Sequence, residues 1–437
     1  MKERYFRVVG GPINDRGYSV ATTFEETEVN NKRQPKILYT LGMLPNEEGL
    51  VKVFKTKGEV FFGHVIELTK TSINRVEPQD KESYLASSPF QILNFEAEQI
   101  YKTQFLSELF DKKVSIFTNH VEYNYRNKVE FGFYEDYDNY SLSLSFFRRE
   151  GNGGKYILEE GSSIANTRIN AKGLEIVKIL ENNKVTGKDL KTLLIRTSNR
   201  DVRANLYVTN EDFITKYPQA IIDLDTIEVS VIYSNKNSPA SNNNGYLVEH
   251  DQKLTQDVLG SVFEFAADGF FQVNVNVFEQ VIKDCKKYII DNKLSGNLVD
   301  FYSGVGIIGI LLAKHFDIIK SVDSSSESEK FTISNAKLNN VSNIEFNRSE
   351  AEKIVQIINN DDILFLDPPR IGCHTKVLDR INEALPPYIF YLSCNPITQA
   401  QNYEMLKENY SIEFIKGYNF YPKTPHLESL IILKRKK

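Results

Sequence analysis

The order of hydrophobic and polar positions divides the chain into three parts. Between Arg4 and about Pro78, short stretches of alternating apolar and polar residues such as "KILYTLGML" and "GLVKVFKTK" are separated by clusters of Gly, Pro and Asn. Alternation with a period of two is typical of half-buried strands, and several short strands bounded by turns indicate a small barrel. Residues 1–78 are therefore predicted to form an amino-terminal β-barrel.

Residues 79–245 combine one clear helix with further strands. The stretch "FEAEQIYKTQFLSELF", Phe95 to Phe110, places apolar residues three and four positions apart after Asn94, which predicts an N-capped helix. Four strand-like stretches follow, "VEFGFY", "YSLSLSFF", "TLLIRT" and "ANLYVT". These features predict a central α+β domain, and a loop rich in Asn and Ser at 234–245 is interpreted as the linker that ends it.

From residue 246 to 437 strands alternate with helices, which is the pattern of a parallel, doubly wound sheet. The predicted fold class is thus α/β, with a Rossmann-like domain behind a small barrel and a central α+β domain. Ligands of such sheets bind at the carboxyl ends of the strands. Three segments follow strands at that edge, "DFYSGVG", "DPPR" and "SCNP", and they are the candidates for the chemistry.

Composition narrows the class of protein. Three cysteines and six histidines occur without paired ligand spacing, which argues against a disulfide framework and predicts no metal site. The most apolar window, "VGIIGILLA", is shorter than the ~20 residues that span a bilayer, and the amino terminus does not resemble a signal peptide. We therefore expect a cytoplasmic protein with no membrane partner.

Charge is ambiguous about nucleic acid. The formal net charge of −5 does not indicate nucleic-acid binding. Local basic positions nevertheless occur in the first two parts, at Arg126, Lys128, Arg148 and Arg149. Such clusters are compatible either with phosphate contacts or with an ordinary solvated surface.

The segment "VDFYSGVGIIG" has glycines in the spacing G-x-G-x-x-G between a strand and a helix. Gly304 and Gly306 would let the backbone approach a ligand, and the helix that follows offers free N–H groups. Asp323 ends the next strand, where a carboxylate can accept hydrogen bonds from a ribose. NAD enzymes and S-adenosylmethionine (SAM) enzymes both use such a turn.

Two further segments place reactive groups at the same edge. In "DPPR", Asp367 follows a buried strand and two prolines fix the turn behind it. In "SCNP", Cys394 ends the next strand. A lone cysteine is more often a small buried hydrophobe than a nucleophile, but this thiol is predicted to lie where a substrate atom would bind.

Five segments together resemble the RNA uracil-5-methyltransferase family. They are "FFQVN", "VDFYSGVG", "DPPRIG", "YLSCNP" and "HLES", which match in order and spacing. The barrel resembles the TRAM domain of that family, and "YRNKVEF" resembles the start of its central RNA-binding domain. Three features depart from the family pattern: the cysteine cluster that holds iron-sulfur in some members is absent after "RVEP", and Ser303 and Ile307 replace the usual residues of the glycine motif.

The resemblance implies SAM-dependent methylation of carbon 5 of a uridine in structured RNA, either 23S rRNA or tRNA, by a monomer. It assigns Cys394 as nucleophile for carbon 6 and Glu428 as the base that removes the carbon 5 proton. It also implies a set of cofactor and base contacts: Gln272, Tyr302, Gly304, Gly306, Asp323, Glu350 and Asp367.

Two alternatives stay open at this point. A nicotinamide-dependent oxidoreductase would use the glycine turn, but it leaves "SCNP" and "DPPR" without a role. A non-catalytic RNA-binding or folding factor could retain the methyltransferase fold, which the departures at Ser303 and Ile307 permit.

Overall fold

An amino-terminal six-stranded sheet begins the computed structural model, which describes residues 3–27, 35–139, 141–149 and 153–437. Its strands are β1 (Tyr5–Val9), β2 (Ser19–Val20), β3 (Thr23–Glu26), β4 (Ile37–Leu41), β5 (Glu48–Lys57) and β6 (Val60–Lys70), in the order β2-β4-β6-β5-β1-β3. The N–H of Ala21 donates to Leu38 of β4, and that of Thr22 donates to Val9 of β1. These two residues connect β2 and β3, the edge strands, and their hydrogen bonds close the sheet into the predicted barrel.

Two helices, α1 (Tyr84–Ser87) and α2 (Phe95–Phe110), follow this sheet. Helix α2 has the predicted bounds, and Asn94 Oδ1 caps it by accepting the N–H of Ala97 at 2.8 Å. Leu106 and Phe110 of α2 pack into the core of the carboxyl-terminal sheet. The short strand β7 (Ile116–Phe117) pairs with that sheet as well, so residues 95–117 cover it although they precede the central sheet in sequence.

A seven-stranded sheet forms the central part. Its strands are β8 (Lys128–Asp136), β9 (Ser141–Phe147), β10 (Lys155–Leu158), β11 (Leu190–Thr197), β12 (Val202–Val208), β13 (Val229–Tyr233) and β14 (Gly245–Val248), in the order β10-β9-β8-β11-β12-β13-β14. Its helices are α3 (Thr167–Asn182), α4 (Phe213–Lys216) and α5 (Pro218–Asp225). The hairpin β15 (Lys253–Val258) and β16 (Ser261–Ala266) comes next.

The interpretation of residues 234–245 as a linker was wrong. This loop joins β13 to β14, which are neighbours in one sheet. Lys191 Nζ donates to the backbone oxygens of Asn235 at 2.6 Å, Ser238 at 3.0 Å and Pro239 at 2.9 Å. Hydrogen bonds to the partly buried Lys191 therefore hold the loop in place. The polar composition of the loop gave no indication of these bonds.

The carboxyl-terminal part is the predicted doubly wound sheet. Its helices are α6 (Val275–Asp291), α7 (Ile307–Leu312), α8 (Ser326–Leu338), α9 (Thr375–Ala384) and α10 (Pro396–Leu406). Its strands are β17 (Asn297–Phe301), β18 (Ile318–Asp323), β19 (Ile344–Arg348), β20 (Ile363–Leu366), β21 (Tyr388–Ser393), β22 (Tyr410–Tyr418) and β23 (Glu428–Arg435). The order is β19-β18-β17-β20-β21-β23-β22-β7, and β19 to β21 run parallel while β23 is antiparallel to β21.

The strand order places the chemistry at one edge. Strand β17 has β18 on one side and β20 on the other, so the order reverses there, and ligands of open α/β sheets bind in the crevice at such a point. Strands β17, β18, β20 and β21 all end at this edge. No helix within the described residues has the length and apolar character to cross a bilayer.

Candidate active site

The turn after β17 has a backbone that only a few residue types adopt readily. Tyr302, Gly304 and Gly306 have φ of 62°, 53° and 78°. A Cβ at Gly306 would lie 2.8 Å from Thr332 Cγ2 of α8, so glycine is required there by contact as well as by conformation. Around the Cβ position of Gly304 there is no described atom within 4 Å. The turn therefore leaves space for a ligand directly against its backbone.

Asp323 is joined to this turn by hydrogen bonds. Its Oδ2 accepts the N–H of Gly304 at 3.1 Å, and its Oδ1 accepts the N–H of Ser325 at 3.0 Å. Both oxygens are thereby fixed in place, and each retains a further lone pair. The carboxylate and the glycine turn, predicted separately from the sequence, lie together.

Gln272 is a buried residue of the segment between β16 and α6, and residues of the central part hold this segment in place. Asn127 Nδ2 donates to Gln272 O at 2.9 Å. Arg196, which is fully buried, donates from Nη2 to Phe271 O at 2.9 Å and from Nη1 to Gly269 O. The central sheet therefore fixes the backbone of this predicted cofactor contact.

Glu350 is the outlying member of the predicted set. It is exposed, two residues beyond β19, and forms an ion pair with Lys353 at 2.9 Å. The hydrogen bond from Lys353 lowers the pKa of the Glu350 carboxyl. This side chain is at the periphery of the crevice rather than among its buried groups.

Cys394 and Glu428 occupy neighbouring positions on adjacent strands. The pairing of β21 with β23 sets Ser393 opposite Ser429, so Cys394 follows β21 where β23 begins at Glu428. Gln399 of α10 braces both strands, because its Nε2 donates to Tyr391 O at 2.7 Å and to Ser429 O at 3.1 Å. Register and brace together bring the thiol and the carboxyl to one place.

Asp367 follows β20, the parallel neighbour of β21. The turn that contains it is tied to the turn after Cys394. Asn395 Nδ2 donates to Arg370 O at 2.9 Å, and Thr398 Oγ1 donates to the same oxygen at 3.1 Å. The "DPPR" and "SCNP" segments therefore form one structural unit at the edge of the sheet.

Burial changes the acidity of all three groups. It raises the pKa of Asp367 to about 7, and burial together with the charge of Asp367 raises the pKa of Glu428 to about 8. Burial and the charges of Glu428 and Asp367 raise the pKa of the Cys394 thiol to about 11. Two groups oppose these effects at Glu428: the Tyr421 hydroxyl, which donates to Oε1 at 3.3 Å, and Arg370. Asp367 and Glu428 therefore hold protons more tightly than exposed carboxyls, which are ionised at neutral pH.

Asp300 adds a further buried acid that the sequence analysis did not single out. It lies on β17 with no exposed surface, and its Oδ2 accepts the N–H of Gly309 at 3.2 Å. Its Oδ1 has no hydrogen-bond partner. Burial and the charge of Asp367 raise its pKa to about 8, so Asp300 retains its proton at pH values where an exposed aspartate is ionised.

A cavity of 240 Å³ lies beside Cys394. Arg370 and His426 line it on the sheet side, and Asp15 and Arg16 reach it from the amino-terminal sheet. Burial, together with the positive charge of Arg370, lowers the pKa of His426 to about 4, so this imidazole is neutral near pH 7. The barrel therefore contributes to the wall of the reactive cavity.

A buried ion pair supports the loop that carries Tyr421. Lys102 of α2 donates to Glu98 Oε1 at 2.7 Å, to Asn419 Oδ1 at 2.8 Å and to Tyr421 O at 3.1 Å. Glu98 Oε2 in turn accepts the N–H of Lys423 at 3.0 Å. Since Tyr421 contacts Glu428, the first long helix of the chain helps to position the last predicted catalytic group.

Most of the predicted site residues lie together in the structure, and the site also contains residues that were not predicted. The glycine turn and Asp323 lie together, as do Asp367, Cys394 and Glu428. Arg370 and Asp300 stood within recognised motifs, and a lone acid in an apolar strand was a signal for Asp300. No sequence signal identified Tyr421, because a loop far from its partners in sequence brings it to Glu428.

All four basic residues considered for RNA binding have structural contacts, and those of Lys128 and Arg149 include backbone oxygens far away in sequence. Lys128 Nζ donates to Asp268 O at 2.8 Å. Arg149 donates from Nε to Ala86 O at 3.1 Å and from Nη1 to Arg16 O at 2.6 Å. Both cations therefore also connect parts of the molecule. In the part of the chain that the structure describes, no three His, Cys, Asp or Glu side chains are grouped to hold a metal ion.

Comparisons with known proteins converge on one family. The model of the family described as tRNA (Uracil-5-)-methyltransferase matches residues 91–436. An uncharacterized RNA methyltransferase of Fusobacterium nucleatum is 26% identical over 431 residues, which cover 90% of each chain. The tRNA (uracil(54)-C(5))-methyltransferase of Saccharomyces cerevisiae is 37% identical over 202 residues, which cover 42% of this chain and 31% of that one.

A solved structure shares the fold. The tRNA (uracil-54, C5)-methyltransferase of Pyrococcus abyssi, solved in complex with S-adenosyl-L-homocysteine, superimposes with a TM-score of 0.75 at 20% identity. The match covers 98% of this chain and 100% of that one. The α/β fold with its amino-terminal sheet is therefore common to both proteins.

Proposed function

Because the chain belongs to the tRNA (uracil-5-)-methyltransferase family and is thus a SAM-dependent RNA methyltransferase acting on carbon 5 of uracil, we propose that it works through a covalent bond between Cys394 and carbon 6. Glu428 is the base that removes the carbon 5 proton. One observation carries this proposal: the register of β21 and β23 puts the thiol and the buried carboxyl at neighbouring positions, and the thiol lines a 240 Å³ cavity.

The residues of the chain divide the chemistry between them. Carbon 5 of uracil is a weak nucleophile. When the Cys394 thiol gives its proton to water and the sulfur adds to carbon 6, the electron pair of the 5,6 double bond makes carbon 5 electron-rich. After carbon 5 has received the methyl group, Glu428 accepts its proton, the double bond re-forms and the carbon–sulfur bond breaks to release the thiolate. The raised pKa of Glu428, about 8, makes its carboxylate a stronger proton acceptor than an exposed glutamate.

The crevice fits SAM, which supplies an electrophilic methyl group when bound. The open space at Gly304 and the fixed carboxylate of Asp323 suit a ribose at the end of β18. Tyr302, Gly306 and Gln272 would complete the contacts, with Glu350 at the adenine side.

The two departures from the family motif have different structural settings. Ser303 Oγ is buried without a hydrogen-bond partner, so it is available to a bound cofactor. Ile307 is 7% exposed at the start of α7 and packs in the core. We propose that Ile307 supports the turn by packing, whereas Ser303 offers a hydrogen bond.

Asp367 is proposed to select the base. Two prolines fix the turn that follows this residue, and in its ionised form the carboxylate accepts hydrogen bonds only. Uracil presents a ring N–H donor where cytosine presents an acceptor. The ionised carboxylate therefore favours uracil and repels cytosine.

We propose a single-stranded loop of tRNA as the substrate, with 23S rRNA as the alternative. The target base must leave its stack to reach Cys394, at a cost of a few kcal/mol that is least in loops. The family description and the name of the yeast relative support tRNA. Mapping of 5-methyluridine in tRNA and rRNA, from cells with and without the gene, distinguishes the two substrates.

The covalent mechanism predicts opposite outcomes for its two catalytic residues. With SAM labelled in its methyl group, Glu428→Gln should accumulate a labelled, denaturant-resistant protein–RNA band, because methyl transfer precedes the blocked elimination. Cys394→Ala should give neither the band nor 5-methyluridine. Gel electrophoresis and nucleoside analysis measure the two readouts.

An exposed acid provides the matched control for this experiment. Glu413→Gln lies on β22, away from the crevice, and should behave like the wild type. Methylation by Cys394→Ala at a rate near the wild type would refute the covalent role of the thiol. Absence of methyluridine from the wild type with both RNA classes would favour the non-catalytic alternative.

A further inference from the structure

A second cavity, of 370 Å³, adjoins the reactive one. The two cavities share Arg16 and His426 in their walls. Its remaining lining comes from β5, β6, the turn before β2 and the segment after β9. A chain bound at Cys394 could therefore continue past Arg16 into this second cavity, whose volume is in the range of ~300–1,000 Å³ typical of small-ligand sites.

The lining combines cations with aromatic rings. The cations are Arg16, Lys55 and Arg149, and the rings are Tyr18, Phe54 and Phe62. No Asp or Glu among the described residues lines this cavity, although the whole chain has a formal net charge of −5. The local charge is thus opposite in sign to the charge of the molecule, which suits a ligand that carries phosphate.

The rings are held in place by other aromatic side chains. Phe62 stacks on Tyr39 with centroids 5.3 Å apart, and Tyr18 meets Phe62 edge to face at 5.7 Å. Phe54 stacks on His64 at 6.1 Å. Phe54 and Phe62 are only partly buried, so each retains surface for a further planar group.

The cations are also pre-positioned. Arg149 is held by Ala86 O and Arg16 O, and both of these partners are neutral carbonyls. Burial lowers its pKa, which indicates a guanidinium with reduced access to water. Lys55 Nζ lies 6.0 Å from the centroid of the Phe62 ring. An anion in this cavity would find positive charge without displacing a carboxylate.

We propose that this cavity binds a nucleotide of the single-stranded RNA next to the target uridine. Its base stacks on Phe54 or Phe62, and its phosphate contacts Lys55, Arg16 and Arg149. The inference rests on the proposed function, because it takes the uridine at Cys394 as the starting point. Stacking on an aromatic ring tolerates any base, so the site would hold the strand while the uridine is out of its stack.

The test uses the full chain and a single-stranded RNA pentamer, UU(2-aminopurine)UU, whose fluorescence falls when the central base stacks. Wild type should quench the probe. Phe54→Leu keeps an apolar side chain but removes the ring, so it should reduce both quenching and affinity, by roughly 5- to 150-fold. Lys55→Ala should reduce the slope of log affinity against log salt by about 0.7, as loss of one phosphate contact from a single strand requires.

Two control variants match these changes outside the cavity. Phe147→Leu alters a phenylalanine that is 63% exposed on β9, and Lys57→Ala alters an exposed lysine on β5, the strand of Lys55. Both should bind the pentamer like the wild type. Thermal unfolding followed by circular dichroism, with the midpoint and amplitude of the wild type, shows that each variant is folded, its barrel included.

The outcomes distinguish this inference from the proposed function. Unchanged quenching, affinity and salt slope in both Phe54→Leu and Lys55→Ala would overturn the nucleotide site, even if Cys394 still forms its adduct. Failure of Cys394 to form an adduct would instead refute the catalytic proposal, while the effects of Phe54→Leu and Lys55→Ala on the pentamer remained measurable.

Discussion

Asp300 shows how a single buried acid couples the crevice to the stability of the whole protein. Its carboxyl lies on β17 with one oxygen unpartnered, and its pKa is raised to about 8. The protonated form is therefore favoured in the folded state, whereas the unfolded chain loses this proton near pH 4. The resulting stability is fully present below the unfolded pKa and is lost as the pH rises through about 8.

We predict that Asp300→Asn flattens this pH dependence. An amide oxygen can still accept the N–H of Gly309 but does not ionise, so the loss of unfolding free energy between pH 5 and 8.5 should decrease. A tenfold difference in proton affinity between the folded and unfolded states corresponds to about 1.4 kcal/mol. Urea unfolding of wild type and variant at the two pH values measures the effect.

The control for this prediction is Asp379→Asn, which alters an exposed acid of α9 and should keep the wild-type slope. Asp367 and Glu428 also have raised pKa values, of about 7 and 8, so a residual slope remains in Asp300→Asn. An unchanged difference between the two pH values in Asp300→Asn would contradict a proton held by Asp300.

At the scale of elements, α2 supports the active site from a distance in sequence. It carries Glu98 and Lys102, which are 0% and 1% exposed and hold the loop of Tyr421. Burial lowers the pKa of Lys102, and the charge of Glu98 opposes this effect. The pair is stable as a unit because each charge neutralises the other.

Removing one partner of the Glu98–Lys102 pair should therefore lower the free energy of unfolding more than removing both partners. We predict that Lys102→Met lowers the free energy of unfolding by about 3–5 kcal/mol, since it leaves the Glu98 charge buried and unpaired. The double variant Glu98→Gln/Lys102→Met should recover much of that loss. Urea unfolding of the three proteins gives the comparison.

The same double variant tests whether the pair positions the catalytic loop. Loss of the Lys102 contact to Tyr421 O should lower kcat and leave SAM affinity unchanged, because the glycine turn lies elsewhere in the sheet. For the stability prediction, equal unfolding free energies of Lys102→Met and the wild type would show that the ion pair does not stabilise the fold. For the positioning role, an unchanged kcat in the double variant would contradict it.

At the scale of the molecule, the carboxyl-terminal sheet depends on residues far upstream. Leu106 and Phe110 of α2 belong to its core, and β7 pairs with β22. A chain shortened to residues 246–437 should therefore expose apolar surface and lose cooperative unfolding. A chain that begins at residue 79 keeps α2 and β7, and it should still bind SAM.

Thermal unfolding monitored by circular dichroism, with calorimetry for SAM, checks both shortened chains. The chain from residue 79 lacks Asp15, Arg16 and the barrel cavity, so its RNA affinity should fall by at least tenfold. Cooperative unfolding of residues 246–437 at the wild-type midpoint would mean that α2 and β7 are dispensable.

Local sequence patterns were enough to predict most elements and the motifs at the sheet edge. Helix α2 with its Asn94 cap, the glycine turn after β17, and the strands that end before Asp367 and Cys394 all follow from local periodicity and turn chemistry. These patterns depend on contacts within a few residues, so they can be read along the chain. Parallel strands also share an edge by geometry, which is why the predicted residues lie at one edge.

Contacts between residues far apart in sequence depend on the packing of the whole chain and could not be predicted. The loop at 234–245 resembled a linker because composition does not report pairing, and it joins adjacent strands instead. Packing also produces three contacts at the site. Tyr421 donates to Glu428, Lys102 donates to Tyr421 O, and Arg16 lines the same cavity as Cys394. Burial likewise raises the pKa of Asp300, because the charged form is unfavourable away from water. The same carboxyl on an exposed strand would keep its ordinary pKa.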